Sequence, residues 1–167
     1  MTAEKLVCFA HGKESGPWGT KITHLAKLAR DRGFEVMSPD YSHSHDPHQR
    51  VRHLTELAPR AEQLVLVGSS MGAYVCAMAC QTLKPDALFL MAPALYFEGW
   101  GEEPAGIPSN CSVVHGWKDD IVPVERALRF AMKNQASLHI LNSGHDLNDQ
   151  LPMLWQLLDQ VLVRLGN

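Results

Sequence analysis

No apolar run in this 167-residue chain approaches the roughly 20 residues needed to cross a bilayer. The first apolar stretch, residues 6–10, follows Met1-Thr2-Ala3-Glu4-Lys5; it is too short for a signal-peptide core and has no small-residue cleavage site behind it. An excess of charge is missing too. Fifteen Lys and Arg against 18 Asp and Glu leave a net charge of −3. That balance excludes the basic footprint of a nucleic-acid partner or of an anionic membrane surface. Cysteine is sparse: Cys8, Cys76, Cys80 and Cys111 fit neither metal-site nor disulfide-framework spacing. They read as small buried hydrophobes, and reduced structural thiols suit the cytoplasm, the expected location. No internal repeat, low-complexity tract or linker divides the chain, so residues 1–167 read as a single domain. At 46% hydrophobic and 20% charged, it can bury a sizeable core.

What is present is an alternation of short apolar runs with longer amphipathic ones. Residues 5–10, 34–38, 63–68, 87–91, 112–115 and 137–141 read as strands. Leu64-Val65-Leu66-Val67 and Leu88-Phe89-Leu90-Met91 are continuously apolar, as central strands covered on both faces must be. Helical spacing marks residues 18–32, 49–60, 71–83, 124–133 and 151–165, with Gly33 as a stop signal after the first. Alternating strands and helices predict right-handed crossovers and a mostly parallel sheet, with ligands at the carboxyl ends of its strands. One segment, residues 92–110, breaks the rhythm with three prolines, three glycines and the aromatics Tyr96, Phe97 and Trp100. It follows a strand and is expected to lie over the carboxyl edge.

Gly68-Ser69-Ser70-Met71-Gly72 fits G-x-S-x-G, with a buried strand entering and an Ala-rich helix leaving. That setting is the one a nucleophile elbow requires, and only Ser70 has glycine at both −2 and +2. An ordinary turn with serine as N-cap is the plainer alternative. A serine hydroxyl needs a base, and His145, in Asn142-Ser143-Gly144-His145-Asp146, follows the last strand. The imidazole in turn needs an acid. His115-Gly116-Trp117-Lys118-Asp119-Asp120 supplies two candidates, of which Asp119 holds the acid position of an H-G-x-x-D-x-x-V-P pattern. Asp120 is expected to cap the turn or face solvent. An oxyanion would need backbone donors: one from Met71, another from the loop at residues 10–16 after the first strand.

The order Ser70, Asp119, His145, together with His11-Gly12 and Gly144-His145, resembles the α/β-hydrolase superfamily over essentially the whole chain. That resemblance implies a three-layer α/β/α sandwich with six strands in the order 2-1-3-4-5-6, lacking the first two strands of larger members and any cap domain. It implies Lys13 N–H as the second oxyanion donor, with His11 structural rather than basic. Lys13 departs from the small or aromatic residues common there, and a cation at that point can influence which substrates enter. The expected reaction is hydrolysis of a small carboxylic ester or thioester through an acyl-enzyme, with a small-molecule partner and no metal or organic cofactor. Two alternatives stay open: a non-catalytic binding protein on a hydrolase fold, or another reaction of the same triad.

Trp18, Tyr96, Trp100 and Trp117 are candidates for the walls of an acyl pocket, with core packing as the rival account; Trp155 reads as core. His43, His45 and His48 suggest a metal tract at first sight, but without a further ligand a solvated loop is the better account. Asp46-Pro47 can cap and start the next helix without any metal.

Overall fold

The structure, a computed structural model, describes residues 3–166. Six strands form one wholly parallel sheet: β1 (Ala3–Ala10), β2 (Glu35–Met37), β3 (Ala61–Ser69), β4 (Ala87–Met91), β5 (Asn110–Gly116) and β6 (Ser137–Leu141). Their order is β2-β1-β3-β4-β5-β6, as expected. Successive strand residues face opposite sides, so each continuous apolar run feeds two cores. Leu64 and Leu66 pack on one side with Leu88, Leu90 and Val113; Val65 and Val67 pack on the other with Phe89 and Met91. Each such side chain, fully buried, contributes about 1.5–3 kcal/mol.

Five helices cover the two faces. On the first side lie α2 (Pro47–Leu57), α3 (Met71–Leu83) and α4 (Val124–Asn134); on the second lie α1 (Thr20–Asp31) and α5 (Leu151–Arg164). Asp46 caps α2, accepting from His48 N–H at 2.9 Å, with Pro47 at the first helical turn. α1 starts at Thr20, two residues later than its apolar pattern suggests, and α2 ends at Leu57 because Ala58 adopts a left-handed conformation. α3, buried along nearly its whole length, owes its close packing to small residues: Gly72, Ala73, Ala77 and Ala79.

β1 sits between β2 and β3, so α1 leaves its strand toward one face while α3 leaves toward the other. The loops after β1 and β3 diverge, which opens a crevice at the carboxyl ends of these strands. Among the described residues no helix is long and apolar enough to cross a membrane. The four cysteines are free and buried, and burial pushes the thiols of Cys8 and Cys111 up to about 12.

Candidate active site

The turn between β3 and α3 is tightly constrained. Ser70 takes φ 56° and ψ −117°, a conformation that L-residues avoid and that costs on the order of 1–3 kcal/mol. The end of β4 and the loop after it hold it there: its N–H donates to Met91 O at 2.9 Å, and its carbonyl accepts from Ala94 N–H at 3.1 Å. Only glycine fits on either side. A Cβ on Gly72 would stand 1.9 Å from Ala10 O, and one on Gly68 would stand 2.4 Å from Gly72 O. The Ser70 hydroxyl does not cap α3; it lies 2.9 Å from His145 Nε2.

His145 reaches the turn from the loop after β6. That loop is fixed by Ser143, which donates to Asp149, and by Asn148 N–H, which donates to Asp146 at 2.9 Å. His145 Nδ1 lies 2.7 Å from Asp119 Oδ2. The Asp119 carboxylate is wholly enclosed, and three donors converge on it, with a second imidazole beside them. Oδ1 accepts from Ile121 N–H at 2.9 Å and Val122 N–H at 2.7 Å; Oδ2 faces His145 and, at 3.2 Å, His115 Nε2. Asp120 is exposed. Of the two neighbouring acids, only Asp119 meets an imidazole of the crevice.

Gly116 sets the spacing between the acid loop and the base loop. Trp117 N–H donates to Leu141 O at 2.9 Å and Lys118 N–H donates to Ser143 O at 3.0 Å. A Cβ on Gly116 would stand 2.1 Å from Ser143 O, a backbone atom that cannot swing aside. Gly116→Ala must therefore push the loops apart. We expect it to destabilise the fold by about 3 kcal/mol, at the upper end of overpacking costs, and to lower Tm by roughly 6–12 °C. Thermal unfolding checks this.

On the other side of Ser70 the β1–α1 loop approaches closely: a Cβ on Gly12 would lie 3.6 Å from Ser70 Cβ. Lys13 and Met71 both line the cavity. Among the described residues Lys13 N–H meets no protein acceptor, and Met71 N–H, in the first turn of α3, has no intrahelical one. His11 is buried beneath this loop. Its Nε2 accepts from Tyr41 N–H at 2.9 Å, so its Nδ1 carries the proton and donates to Gly12 O at 2.8 Å. Burial lowers the His11 pKa, with the Arg50 charge acting in the same sense against the Gly12 bond. A neutral, donating imidazole is a structural brace, as the His-Gly resemblance implies.

The cavity over Ser70 and His145 measures about 440 Å³. Ala94, Phe97, Trp100, Ile121 and Val122 make its apolar walls, while Lys13, Glu14, Lys21 and Asp146 stand at its polar side. Burial lowers the Lys21 pKa, opposed by the Asp146 carboxylate. The irregular segment after β4 lies over the carboxyl edge and supplies Ala94, Phe97 and Trp100 of these walls. Tyr74 OH donates to Trp100 O, Arg126 donates to Leu95 O at 3.0 Å, and the Arg126 guanidinium stacks 4.6 Å from the Phe97 ring.

Three of the four expected wall residues stand outside the cavity. Trp18 is 49% exposed, with Arg30 stacked 5.7 Å from its ring, because it precedes α1 and folds back along it. Tyr96, at φ 62°, turns away beneath Arg129 and donates to Glu103 at 3.1 Å. Trp117 is 63% exposed at the tip of the acid loop. Trp100 lines the cavity, joined by Phe97. Two residues to which the sequence assigns no role of their own also touch the site's framework, Arg50 and His115. The signal for Arg50 was its place four residues before Leu54 on the apolar stripe of α2; that for His115 was a histidine ending an apolar strand.

His43 packs against His53, their ring centres 5.0 Å apart, and His48 lies 6.5 Å from the Tyr74 ring. Among the described residues no three His, Cys, Asp or Glu side chains gather where a metal ion could be held.

Comparison with known proteins accords with this architecture. No curated protein is detectably similar to the chain. Its fold matches a protein of Xanthomonas campestris pv. campestris assigned to the alpha/beta superfamily of hydrolases, at 29% identity, over 96% of this chain and 98% of that one, with a TM-score of 0.87. A lid-less alpha/beta serine hydrolase from Xanthomonas campestris matches at 22% identity over 98% and 84%, with a TM-score of 0.73. Est1E from Butyrivibrio proteoclasticus, also solved with ferulic acid bound, matches at 13% identity over 98% and 89%, with a TM-score of 0.75. The family model for the alpha/beta hydrolase family matches residues 9–129, and this chain belongs to that family.

Proposed function

We propose that the protein is a serine hydrolase that cleaves a small carboxylic ester or thioester through an acyl-enzyme. The observation that carries this reading is the relay from Ser70 Oγ to His145 Nε2 at 2.9 Å and from His145 Nδ1 to Asp119 Oδ2 at 2.7 Å, at the base of an apolar cavity. With Nδ1–H given to Asp119, Nε2 is free to accept the serine proton. Oγ then bonds to the substrate carbonyl carbon, and the carbonyl electron pair moves to oxygen, where Met71 and Lys13 N–H groups stabilise it. Collapse expels the leaving group, which takes the proton from the His145 imidazolium. Water, deprotonated by His145, cleaves the acyl-enzyme and releases the acid.

The walls argue for the acyl class. A cavity of about 440 Å³ lined by Phe97, Trp100 and Ile121 suits a short aliphatic or single-ring acyl group, desolvated against apolar surface. The lysines and carboxylates at the cavity's polar side balance one another, which does not favour a polyanion, and the free thiols suit a cytoplasmic setting. A panel of p-nitrophenyl esters and matched thioesters tests the reading. We expect turnover to be greatest for acyl groups of about four to eight carbons, including an aryl ester, and to fall once the chain outgrows the cavity. A folded protein that neither hydrolyses any member nor reacts with a fluorophosphonate would overturn it.

A further inference from the structure

Arg50 is fully buried within α2, yet its four hydrogen bonds all end on main-chain carbonyls. Nε donates to Ser44 O at 2.7 Å; Nη1 donates to His11 O at 3.3 Å and Gly12 O at 3.0 Å; Nη2 donates to Lys13 O at 3.2 Å. Its guanidinium carbon also lies 5.9 Å from the Tyr41 ring. Burial lowers its pKa, but a guanidinium keeps its proton in proteins. Burying a charge without an adjacent carboxylate is costly, and an apolar side chain would fill the same space more cheaply. The compensation lies in where the fork is aimed: three consecutive carbonyls of the loop beside Ser70.

The middle carbonyl matters most. Gly12 C=O and Lys13 N–H belong to one planar peptide, which is trans here, so the two groups point in opposite directions. Gly12 O accepts from Arg50 at 3.0 Å, from His11 Nδ1 at 2.8 Å and from Ser15 Oγ at 3.4 Å. With the oxygen held on the Arg50 side, the N–H is fixed on the opposite side, and both residues line the cavity. A cation on the carbonyl also draws electron density through the amide and strengthens the N–H as a donor.

We propose that Arg50 is a positioning residue of the oxyanion hole, locking and polarising the Gly12–Lys13 peptide so that Lys13 N–H is presented to the reacting carbonyl. The inference rests on the acyl-transfer reading above. Its signature is an effect on the transition state alone, because Arg50 reaches no substrate-facing surface.

The test uses the full chain and a p-nitrophenyl ester that the wild type hydrolyses. Lack of wild-type turnover and fluorophosphonate labelling counts against the acyl-transfer reading itself, before any variant is made. Given turnover, Arg50→Met should lower kcat about 100-fold or more, the loss expected for one oxyanion donor, with KM within about threefold. Affinity for a trifluoromethyl ketone, which forms the tetrahedral oxyanion, should fall by the same factor as kcat. Arg50→Lys keeps the charge but not the fork, and should lie between, about tenfold below wild type. A folded Arg50→Met with kcat and ketone affinity within threefold of wild type overturns the proposal. Should Arg50→Met fail to fold, a folded Arg50→Lys with wild-type kcat and ketone affinity overturns it equally.

Discussion

Ser70→Ala is expected to abolish fluorophosphonate labelling and to lower kcat by about 10⁴–10⁶-fold, the loss seen when a triad nucleophile is removed. The fold should be nearly untouched. Among the described residues the hydroxyl makes its hydrogen bond to His145 alone, while the backbone bonds that pin the turn involve main-chain N–H and C=O. Alanine at φ 56° carries the same strain as serine, so nothing is relieved. Glycine is different, since it lacks the Cβ that makes this conformation unfavourable. Ser70→Gly should be as inactive as Ser70→Ala yet unfold at a higher temperature, by a stabilisation on the order of 1 kcal/mol. The pair separates two properties of one residue: the hydroxyl carries the chemistry, and the strained backbone aims it. Wild-type turnover by Ser70→Ala would dismiss Ser70 as nucleophile. Equal Tm for the two variants would dismiss the strain.

Much of this arrangement is legible from the chain because it is local. The strand 64–67, the turn at Ser70 and the small-residue helix after it lie within twenty residues; the strand's shortness and valines, the glycines at the turn and the helix's length separate the two there. Asp119 and His145 become legible once each is seen to follow a strand, because a parallel sheet brings every strand's carboxyl end to one edge. What periodicity does not carry is the direction of a side chain at a loop. Trp18, Tyr96 and Trp117 lie in loops at the right edge of the sheet and still miss the cavity, drawn to Arg30, to Arg129 and Glu103, and to solvent. Phe97, one residue from Tyr96, faces inward instead. The role of Arg50 is hidden for a different reason. A charge in an amphipathic helix reads as the solvated face, and only the main-chain carbonyls of a loop 37 to 39 residues away give it a reason to be buried. Partners so distant in sequence leave no spacing to read.

Asp119→Asn is expected to cost about 10⁴-fold in kcat, with a near-normal backbone, for a reason specific to the donors around this carboxylate. Oδ1 faces two main-chain N–H groups, from Ile121 and Val122, at 2.9 and 2.7 Å. Those donors do not change with protonation, so the asparagine must keep its carbonyl oxygen there. Its NH₂ group then takes the place of Oδ2, facing His145 Nδ1 and His115 Nε2. A donor now meets Nδ1, which obliges His145 to carry its proton on Nε2, the atom that must accept from Ser70. The relay runs backwards. His115 meets the same difficulty: its Nε2–H points at Val122 O, 2.9 Å away, and is now also opposed by an amide donor. Its other nitrogen, Nδ1, is buried without a hydrogen-bond partner among the described residues, so moving the proton there gains no partner and forfeits the bond to Val122 O. Asp119→Asn should therefore also lose stability, about 1–3 kcal/mol for the buried group left unsatisfied. His115→Phe, added to the Asp119→Asn variant, should remove that part of the penalty without restoring turnover. Kinetics and thermal unfolding of the two single variants and the double variant test both halves. An Asp119→Asn enzyme within tenfold of wild-type kcat would remove Asp119 from the relay, and additive stability losses in the double variant would show that His115 does not oppose the new amide.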